Sequence, residues 1–263
     1  MDTVHSKDGT PIAYDRTGRG PALVCVGGAL NDRGSAAPLA GLLASRRTVV
    51  AYDRRGRGDS GDTAPYAVDR EIEDLAAVID AAGGGQAAVY GMSSGAVLAL
   101  RAAAHGLPIT RLALYEPPFT PDEPDRVRRT RDHAAELNRR LEQGRPGDAL
   151  ELFMTGVGMP AELLAQMRHA PMWPALEALA PTLAYDSAVM DDAAGGVLPA
   201  ATAAAVTVPV LVLAGGASPA WMRDAARRLA ALLPAGAHRV LDGQTHDVAP
   251  GVLAPALEDF LGT

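Results

Sequence analysis

The chain has 263 residues, of which 48% are hydrophobic and 21% charged, proportions typical of a soluble globular protein with a sizeable core. Its net charge of -7 argues against a nucleic-acid partner, because proteins that bind a phosphate backbone usually present a basic face. Cys25 is the only cysteine, which excludes an intrachain disulfide and a cysteine-based zinc site, and its apolar neighbours predict a buried thiol.

The N-terminus and the hydropathy pattern predict where the protein is located. The first residues lack the basic start and apolar stretch of a secretory signal. No segment approaches the roughly 18 apolar residues that a membrane helix needs. We therefore expect a cytoplasmic protein that has neither a membrane nor a nucleic acid as its partner.

The N-terminal part of the chain predicts strands and helices in alternation. The turn signal Asp8-Gly9 lies between two short predicted strands, at 4–6 and 12–16. Four unbroken apolar runs follow, as expected of strands buried on both faces of a parallel sheet, at 22–26, 48–52, 87–90 and 112–115. Helical stretches lie between these runs, at 36–44, 67–82 and 96–105. This order implies crossover connections, with helices on both faces of one sheet.

A helical insertion then interrupts the alternation. Residues 120–205 contain no convincing strand, and a charged helix at 125–143 is followed by shorter helical pieces between glycines and prolines. Strands and helices resume at 208–214, 219–233, 237–241 and 253–261. We therefore predict an α/β fold with a mostly parallel, doubly wound central sheet and a helical cap inserted between strands. The core domain would comprise residues 1–119 and 206–263, and the cap residues 120–205.

The segment Gly91-Met92-Ser93-Ser94-Gly95 matches the pattern G-x-S-x-G. In this pattern the serine lies on a tight turn between a strand and a helix, where bulky neighbours would clash. An apolar strand comes directly before the segment and a helix directly after it, as the pattern requires. Ser93 is therefore a candidate nucleophile. The alternative is that it only caps the helix that follows.

Two further features have the positions that a serine nucleophile requires. His246 follows the last predicted strand and a turn, from where it could reach Ser93 as a general base. Gly27-Gly28-Ala29 follows the first long strand, and its glycines allow a backbone N–H, that of Ala29, to point at a developing oxyanion. The N–H of Ser94 would be the second donor. The alternative for the glycines is an ordinary turn at the end of a strand.

The order of serine turn, helical insertion and late histidine resembles the α/β-hydrolase family, and specifically its members with a small cap domain. Asp53-Arg54-Arg55-Gly56-Arg57-Gly58-Asp59-Ser60 is similar to the D-x-R-G-x-G-x-S loop common in that family. The resemblance covers nearly the whole chain. It implies a serine hydrolase in which Ser93 attacks a carbonyl group and His246 takes its proton, with no metal or organic cofactor.

The position of the triad acid departs from the usual pattern of that family. Most members carry it after the strand that follows the cap, where this chain has Ser218, which cannot hold a charge. A minority, including some haloalkane dehalogenases, carry it after the strand that precedes the cap, where this chain has Glu116. Pro117 forces the chain out of the sheet there, so Glu116 should lie at the same sheet edge as Ser93. The competing carboxylates are Asp186, Asp191, Asp192, Asp242 and Asp247.

Methionine and aromatic residues in and beside the insertion predict an apolar substrate pocket, because methionine fills irregular apolar space. We expect the substrate to contact Gly28, Met92, Phe119, Phe153, Met154, Trp173 and Tyr185. Alternatively, the cap residues among them form the core of the cap itself.

These observations predict a hydrolase that cleaves an ester or lactone of a largely apolar small molecule through an acyl-enzyme intermediate. Two alternatives use the same fold. One is a biosynthetic cyclase, thioesterase or carbon–carbon hydrolase with the same triad. The other is a non-catalytic receptor that closes its cap over a small molecule.

Overall fold

The structure, a computed structural model, describes residues 1–262. Its strands are β1 (Asp2–His5), β2 (Pro11–Gly18), β3 (Ala22–Val26), β4 (Thr48–Tyr52), β5 (Ala87–Met92), β6 (Ile109–Tyr115), β7 (Val210–Gly215) and β8 (Gly236–Leu241). They form one eight-stranded sheet in the order β1-β2-β4-β3-β5-β6-β7-β8. β2 pairs antiparallel with β1 and β4, and the other neighbours pair in parallel. The predicted mostly parallel sheet is confirmed.

Helices cover both faces of the sheet. Within residues 1–262 the α-helices are α1 (Ala37–Leu43), α2 (Val68–Ala81), α3 (Ser94–Ala104), α4 (Pro124–Glu142), α5 (Pro146–Gly156), α6 (Ala161–Met167), α7 (Trp173–Leu179), α8 (Leu183–Met190), α9 (Ala200–Ala205), α10 (Ala220–Leu232) and α11 (Pro250–Leu261). On one face, α1 and α11 bury Leu43 and Leu257 in a cluster with Leu23 and Cys25 of β3. On the other, α3 packs against β5 and β6, and α10 against β7 and β8. The doubly wound arrangement is therefore confirmed. None of the helices in this range is both long and apolar enough to cross a membrane.

The chain divides into two compact units. The first comprises residues 1–119 and the chain from Leu198 onward, and the second comprises residues 120–197. One division between the units follows Phe119. The other division lies after Val197 and not after residue 205, because α9 packs against α3 and α10 and buries Ala203 completely. Residues 198–205, which we predicted to be part of the helical cap, thus belong to the unit that contains the sheet.

Two element boundaries differ from prediction for identifiable reasons. β6 begins at Ile109 and not at residue 112, because Thr110 and Arg111 are exposed and interrupt the apolar run although they belong to the strand. α11 begins at Pro250 and not at residue 253. Proline is favoured in the first turn of a helix, where its missing N–H is not needed, so it marks a helix start there instead of a break.

Cys25 lies within the sheet and is buried, with 4% of its surface exposed. Burial raises the pKa of its thiol to about 12. The thiol therefore stays protonated and packs as a small apolar group, as its neighbours in the sequence predicted.

Candidate active site

Ser93 lies on the turn between β5 and α3. Its backbone has φ 56° and ψ -127°, a conformation that residues other than glycine rarely adopt. Glycines on either side allow this turn: a Cβ atom on Gly91 would lie 2.6 Å from Gly95 O, and one on Gly95 would lie 2.4 Å from Val26 O. The Ser93 N–H donates to Tyr115 O at 3.0 Å. The two glycines of the sequence pattern are thus needed by a strained turn at the carboxyl end of β5.

Glu116 lies at the carboxyl end of the neighbouring strand β6 and is completely buried. Its φ of 44° is in the left-handed region, which costs energy for a residue with a side chain. Its Oε2 lies 2.8 Å from His246 Nδ1, and its Oε1 accepts a hydrogen bond of 2.7 Å from the Gly215 N–H. Its own N–H donates to Leu213 O at 3.0 Å. The carboxylate is therefore fixed from β7 and bonded to the histidine ring.

Opposing effects act on the pKa of Glu116. Burial raises it, whereas the hydrogen bonds from His246 and from the Gly215 N–H lower it, and the resulting pKa lies below the usual value for glutamate. Glu116 is therefore ionised at neutral pH. Because a carboxylate can only accept a hydrogen bond, His246 Nδ1 carries the proton and the neutral ring keeps Nε2 as its basic nitrogen.

The loop that carries His246 is held on both sides of this residue. Before it, the Tyr115 hydroxyl of β6 donates to Thr245 O. After it, the Ala249 N–H donates to the Gln244 side chain at 2.9 Å, immediately before α11 begins. The side chain of His246 is 39% exposed. The ring is thus fixed at Nδ1 and remains partly open to solvent.

The Gly27-Gly28-Ala29 segment follows β3 and lies directly against Ser93. A Cβ atom on Gly28 would lie 2.9 Å from Ser93 Cβ, so this close approach requires glycine. Two buried arginines bind its carbonyl groups: Arg57 Nη1 donates to Gly28 O at 2.5 Å, and Arg54 Nη1 donates to Gly27 O at 3.4 Å. The predicted donor Ser94 is the first residue of α3. The structure therefore brings the glycine segment and the serine turn together.

The arginine loop, residues 53–60, carries buried charges that sequence reasoning did not assign. Arg54 forms two hydrogen bonds with Glu71, of 2.6 and 2.8 Å, and Arg55 forms two with Asp74, of 2.8 and 2.7 Å. Both carboxylates are on α2 and have almost no exposed surface. The sequence did contain a signal for these buried charges: Glu71 and Asp74 lie at helical spacing from Val78, and so share the apolar, buried face of α2.

The predicted substrate contacts lie in both units. Gly28 and Met92 flank Ser93, Gly28 being buried and Met92 packed against the core of the sheet. Phe119 ends the first segment of the sheet-containing unit and is 2% exposed. The remaining predicted contacts belong to the second unit, where they are buried or half-buried: Phe153, Met154, Trp173 and Tyr185. Trp173 lines a cavity of about 630 Å³ that is formed by second-unit residues alone, among them Glu151, Leu164 and Arg168.

The competing carboxylates have other surroundings. Asp186 is buried in α8, and Asp191 and Asp192 follow that helix in the second unit. Asp242 and Asp247 are exposed in the loop that carries His246. The carboxylate bonded to the His246 ring is Glu116.

Within residues 1–262, no group of three or more histidine, cysteine, aspartate or glutamate side chains is placed to hold a metal ion. The site consists of a serine on a strained turn, a histidine–carboxylate pair and a glycine-rich segment. This set of groups can perform nucleophilic attack assisted by a general base.

A mostly parallel sheet, helices on both faces and a serine turn at the carboxyl end of a central strand together define the α/β-hydrolase fold. The profile of the alpha/beta hydrolase family matches residues 22–256, and the chain belongs to this family. Membership supports hydrolase activity.

Solved structures similar to this chain agree with the assignment. An alpha/beta hydrolase from Sphaerobacter thermophilus is 55% identical, with a TM-score of 0.88, over 99% of this chain and 100% of that one. A thermophilic esterase from Thermogutta terrifontis is 21% identical over 99% and 97% of the two chains, with a TM-score of 0.73. The enol-lactonase from Burkholderia xenovorans is 22% identical over 99% of each chain, with a TM-score of 0.68. The last two similarities show the shared fold.

Proposed function

We propose that this protein is a serine hydrolase that cleaves a carboxylic ester or lactone through an acyl-enzyme intermediate. One observation carries the proposal: Glu116 and His246 form a 2.8 Å carboxylate–imidazole pair that leaves Nε2 basic. Ser93, on the adjoining strand end, has the strained backbone of a serine nucleophile on this fold.

The proposed reaction has two stages. In the first, Ser93 Oγ attacks the carbonyl carbon while His246 Nε2 takes its proton, and the N–H groups of Ala29 and Ser94 stabilise the oxyanion. The bond to the leaving oxygen breaks, and that oxygen receives the proton from Nε2. In the second stage, water gives a proton to Nε2 and attacks the acyl group. The carboxylic acid leaves, and Ser93 regains its proton. Glu116 keeps the imidazole oriented and balances its transient charge throughout.

A small, largely apolar molecule is the proposed substrate. The net charge of -7 makes a nucleic-acid substrate unfavourable. An esterase and an enol-lactonase are among the structures with this fold. We propose that the second unit acts as a cap and selects the acyl group through methionine and aromatic side chains such as Met154 and Trp173, because pockets lined in this way favour apolar ligands.

A substrate screen with a serine probe tests the proposal. Aryl esters, lactones and acyl thioesters are offered to the parent protein, to Ser93→Ala and to Ser94→Ala, and each protein is also treated with a fluorophosphonate. We expect turnover of an ester or lactone and labelling of the parent and of Ser94→Ala, which keeps its backbone N–H, but not of Ser93→Ala. Turnover of thioesters alone would favour a thioesterase, and slow labelling without any turnover would favour a receptor.

A further inference from the structure

The contacts of the Gly27-Gly28-Ala29 segment define the direction of each of its peptide groups. These peptide groups are trans. In a trans peptide, the C=O of one residue and the N–H of the next point in opposite directions. A group that binds the carbonyl oxygen from one side therefore directs the N–H to the other side.

The peptide between Gly27 and Gly28 is held at both ends. Its C=O accepts from Arg54 Nη1 at 3.4 Å, and its N–H donates to Asn31 Oδ1 at 3.1 Å. This N–H already has an acceptor within the protein. It is therefore not the donor that a substrate oxyanion would use.

The next peptide, between Gly28 and Ala29, is held at its carbonyl end. Gly28 O accepts from Arg57 Nη1 at 2.5 Å, and the Asn31 N–H donates to the same oxygen at 3.3 Å. Among residues 1–262, the Ala29 N–H donates to no protein acceptor. The segment lies against Ser93, as the 2.9 Å from a Gly28 Cβ to Ser93 Cβ requires.

We infer that Arg57 is a positioning residue for the oxyanion hole: by binding Gly28 O it directs the Ala29 N–H towards the carbonyl oxygen of the substrate. The inference rests on the proposed function. Arg57 is 1% exposed, so its hydrogen bond to the carbonyl lies in a region of low dielectric, where a charged donor also polarises the peptide and strengthens its N–H as a donor. A rotation of this peptide would break a charge-assisted hydrogen bond in a buried position, which is costly.

Arg57 and its neighbour Arg54 differ in what they bind. The guanidinium of Arg54 forms two hydrogen bonds with Glu71, and its contact with Gly27 O is long, at 3.4 Å. The short contact to a carbonyl of the segment is made by Arg57. The side chain that sets the direction of the predicted oxyanion donor is therefore Arg57.

The test compares Arg57→Met, which has similar length but no donor, with Arg57→Lys, which keeps one. Each variant is assayed with an aryl ester and with the matching thiono ester, whose sulfur accepts hydrogen bonds weakly. In the parent, the oxo ester should react faster because the oxyanion hole favours oxygen. Arg57→Met should lower kcat for the oxo ester about 10- to 1,000-fold, with KM changed by less than about 3-fold, and should reduce the oxo/thiono ratio by a similar factor. Arg57→Lys should restore part of both.

The matched control removes another buried guanidinium from the same loop. Arg55→Met combined with Asp74→Asn deletes a buried arginine together with its counter-charge and touches no carbonyl of the glycine segment. This double variant should keep the oxo/thiono ratio of the parent even if its Tm falls.

If Arg57→Met does not fold, the test uses Arg57→Lys alone. A reduced oxo/thiono ratio with KM unchanged supports the positioning role, and an unchanged ratio overturns it.

The outcomes separate this inference from the proposed function. If Ser93→Ala keeps full turnover, the serine mechanism is wrong, whatever Arg57 does. If Ser93 is required but Arg57→Met keeps the parent's oxo/thiono ratio, or if the Arg55 control loses it equally, the proposed function stands and the role of Arg57 is refuted.

Discussion

Both units contain arginine–carboxylate pairs of the same geometry in opposite surroundings. In the sheet-containing unit, Arg55 binds Asp74 through hydrogen bonds of 2.8 and 2.7 Å, and neither side chain is more than 1% exposed. In the helical unit, Arg139 binds Glu136 through hydrogen bonds of 2.8 and 2.7 Å, with half of the arginine side chain in solvent. The two pairs have similar hydrogen-bond lengths but differ strongly in burial, and the first joins a loop to α2 whereas the second lies within α4.

The carboxylate pKa values reflect this difference. Burial raises the pKa of Asp74 above its usual value although Arg55 opposes the change, so the buried charge is costly to maintain. Hydrogen bonds from Arg139 and Arg140 lower the pKa of the half-buried Glu136 to about 2. A buried pair contributes little net stability, but removal of one partner leaves a charge without compensation. The sheet-containing unit thus uses buried charge to fix the loop beside the glycine segment, whereas the Arg139–Glu136 pair joins two residues of one helix, α4, at the surface, where such a pair contributes little stability.

The largest expected effect tests whether the chemistry belongs to the sheet-containing unit. Ser93→Ala should keep its fold and lower kcat about 10³- to 10⁶-fold, because binding and the oxyanion hole alone retain some catalysis. Steady-state kinetics on the best ester from the screen measures the loss. Ser187→Ala, which alters a buried serine of the helical unit, should change kcat far less. Equal losses in both variants would refute the assignment of the nucleophile.

The second prediction compares carboxylates from the two units. Glu116→Gln should lower kcat about 10²- to 10⁴-fold, because the amide no longer balances the imidazole charge or fixes its tautomer. Asp192→Asn, in the helical unit, should retain most of the parent's kcat. The Tm of both variants shows whether a loss has a structural cause. A Glu116→Gln variant with the parent's kcat would mean that His246 is oriented by another group.

The sequence indicates candidate residues for this site but not the contacts that hold them. The motif and the chain order pointed to Ser93 and His246, because strand-ending turns have strong local signals. Glu116 required the exclusion of Ser218. The contacts of Arg57 with Gly28 O and of Tyr115 with Thr245 O join residues 29 and 130 positions apart. No local pattern predicts which carbonyl group a buried donor will meet, so these contacts emerge only from the folded chain.

For the fold, too, the sequence predicted the main elements but not every contact between them. Unbroken apolar runs identified the parallel strands, because strands buried on both faces tolerate few polar residues. The division after Val197 was not predictable, because α9 has the sequence Ala-Ala-Thr-Ala-Ala-Ala, which has no polar face and no distinct apolar one. α9 belongs to the sheet-containing unit because it packs against α3 and α10, and the sequence of α9 alone does not predict these contacts.

The third prediction tests the effect of burial directly. Arg55→Met should lower the free energy of unfolding by about 3–5 kcal/mol, because it leaves the buried Asp74 without a partner. Arg139→Met removes a pair of the same geometry from the surface and should leave the denaturant midpoint almost unchanged. Chemical denaturation of both variants gives the comparison. Similar shifts in the midpoint would show that burial does not determine how much each pair contributes to stability.

The smallest effect concerns Asp192, a titratable group of the helical unit whose surroundings are unlike those of Glu136. Burial, together with the charges of Asp186 and Asp191, raises the pKa of Asp192 to about 7, although a hydrogen bond from Ser187 opposes this. Between about pH 3.9, the ordinary pKa of aspartate, and about pH 7, Asp192 is therefore protonated in the folded chain but ionised in the unfolded chain. Stability from this group is therefore present below pH 4 and is lost as the pH rises to 7.

Asp192→Asn cannot titrate and should lack this loss. Between pH 4.5 and pH 7.5, the parent should lose about 1–2 kcal/mol of unfolding free energy relative to Asp192→Asn, less than the full linkage value because the side chain is partly exposed. Glu136→Gln is the matched control: with a pKa of about 2, Glu136 is already ionised throughout this range, so parent and control should show parallel profiles. Urea unfolding of the three proteins at three pH values measures how the unfolding free energy of each depends on pH. If Asp192→Asn also runs parallel to the parent, Asp192 is ionised at neutral pH and burial does not raise its pKa.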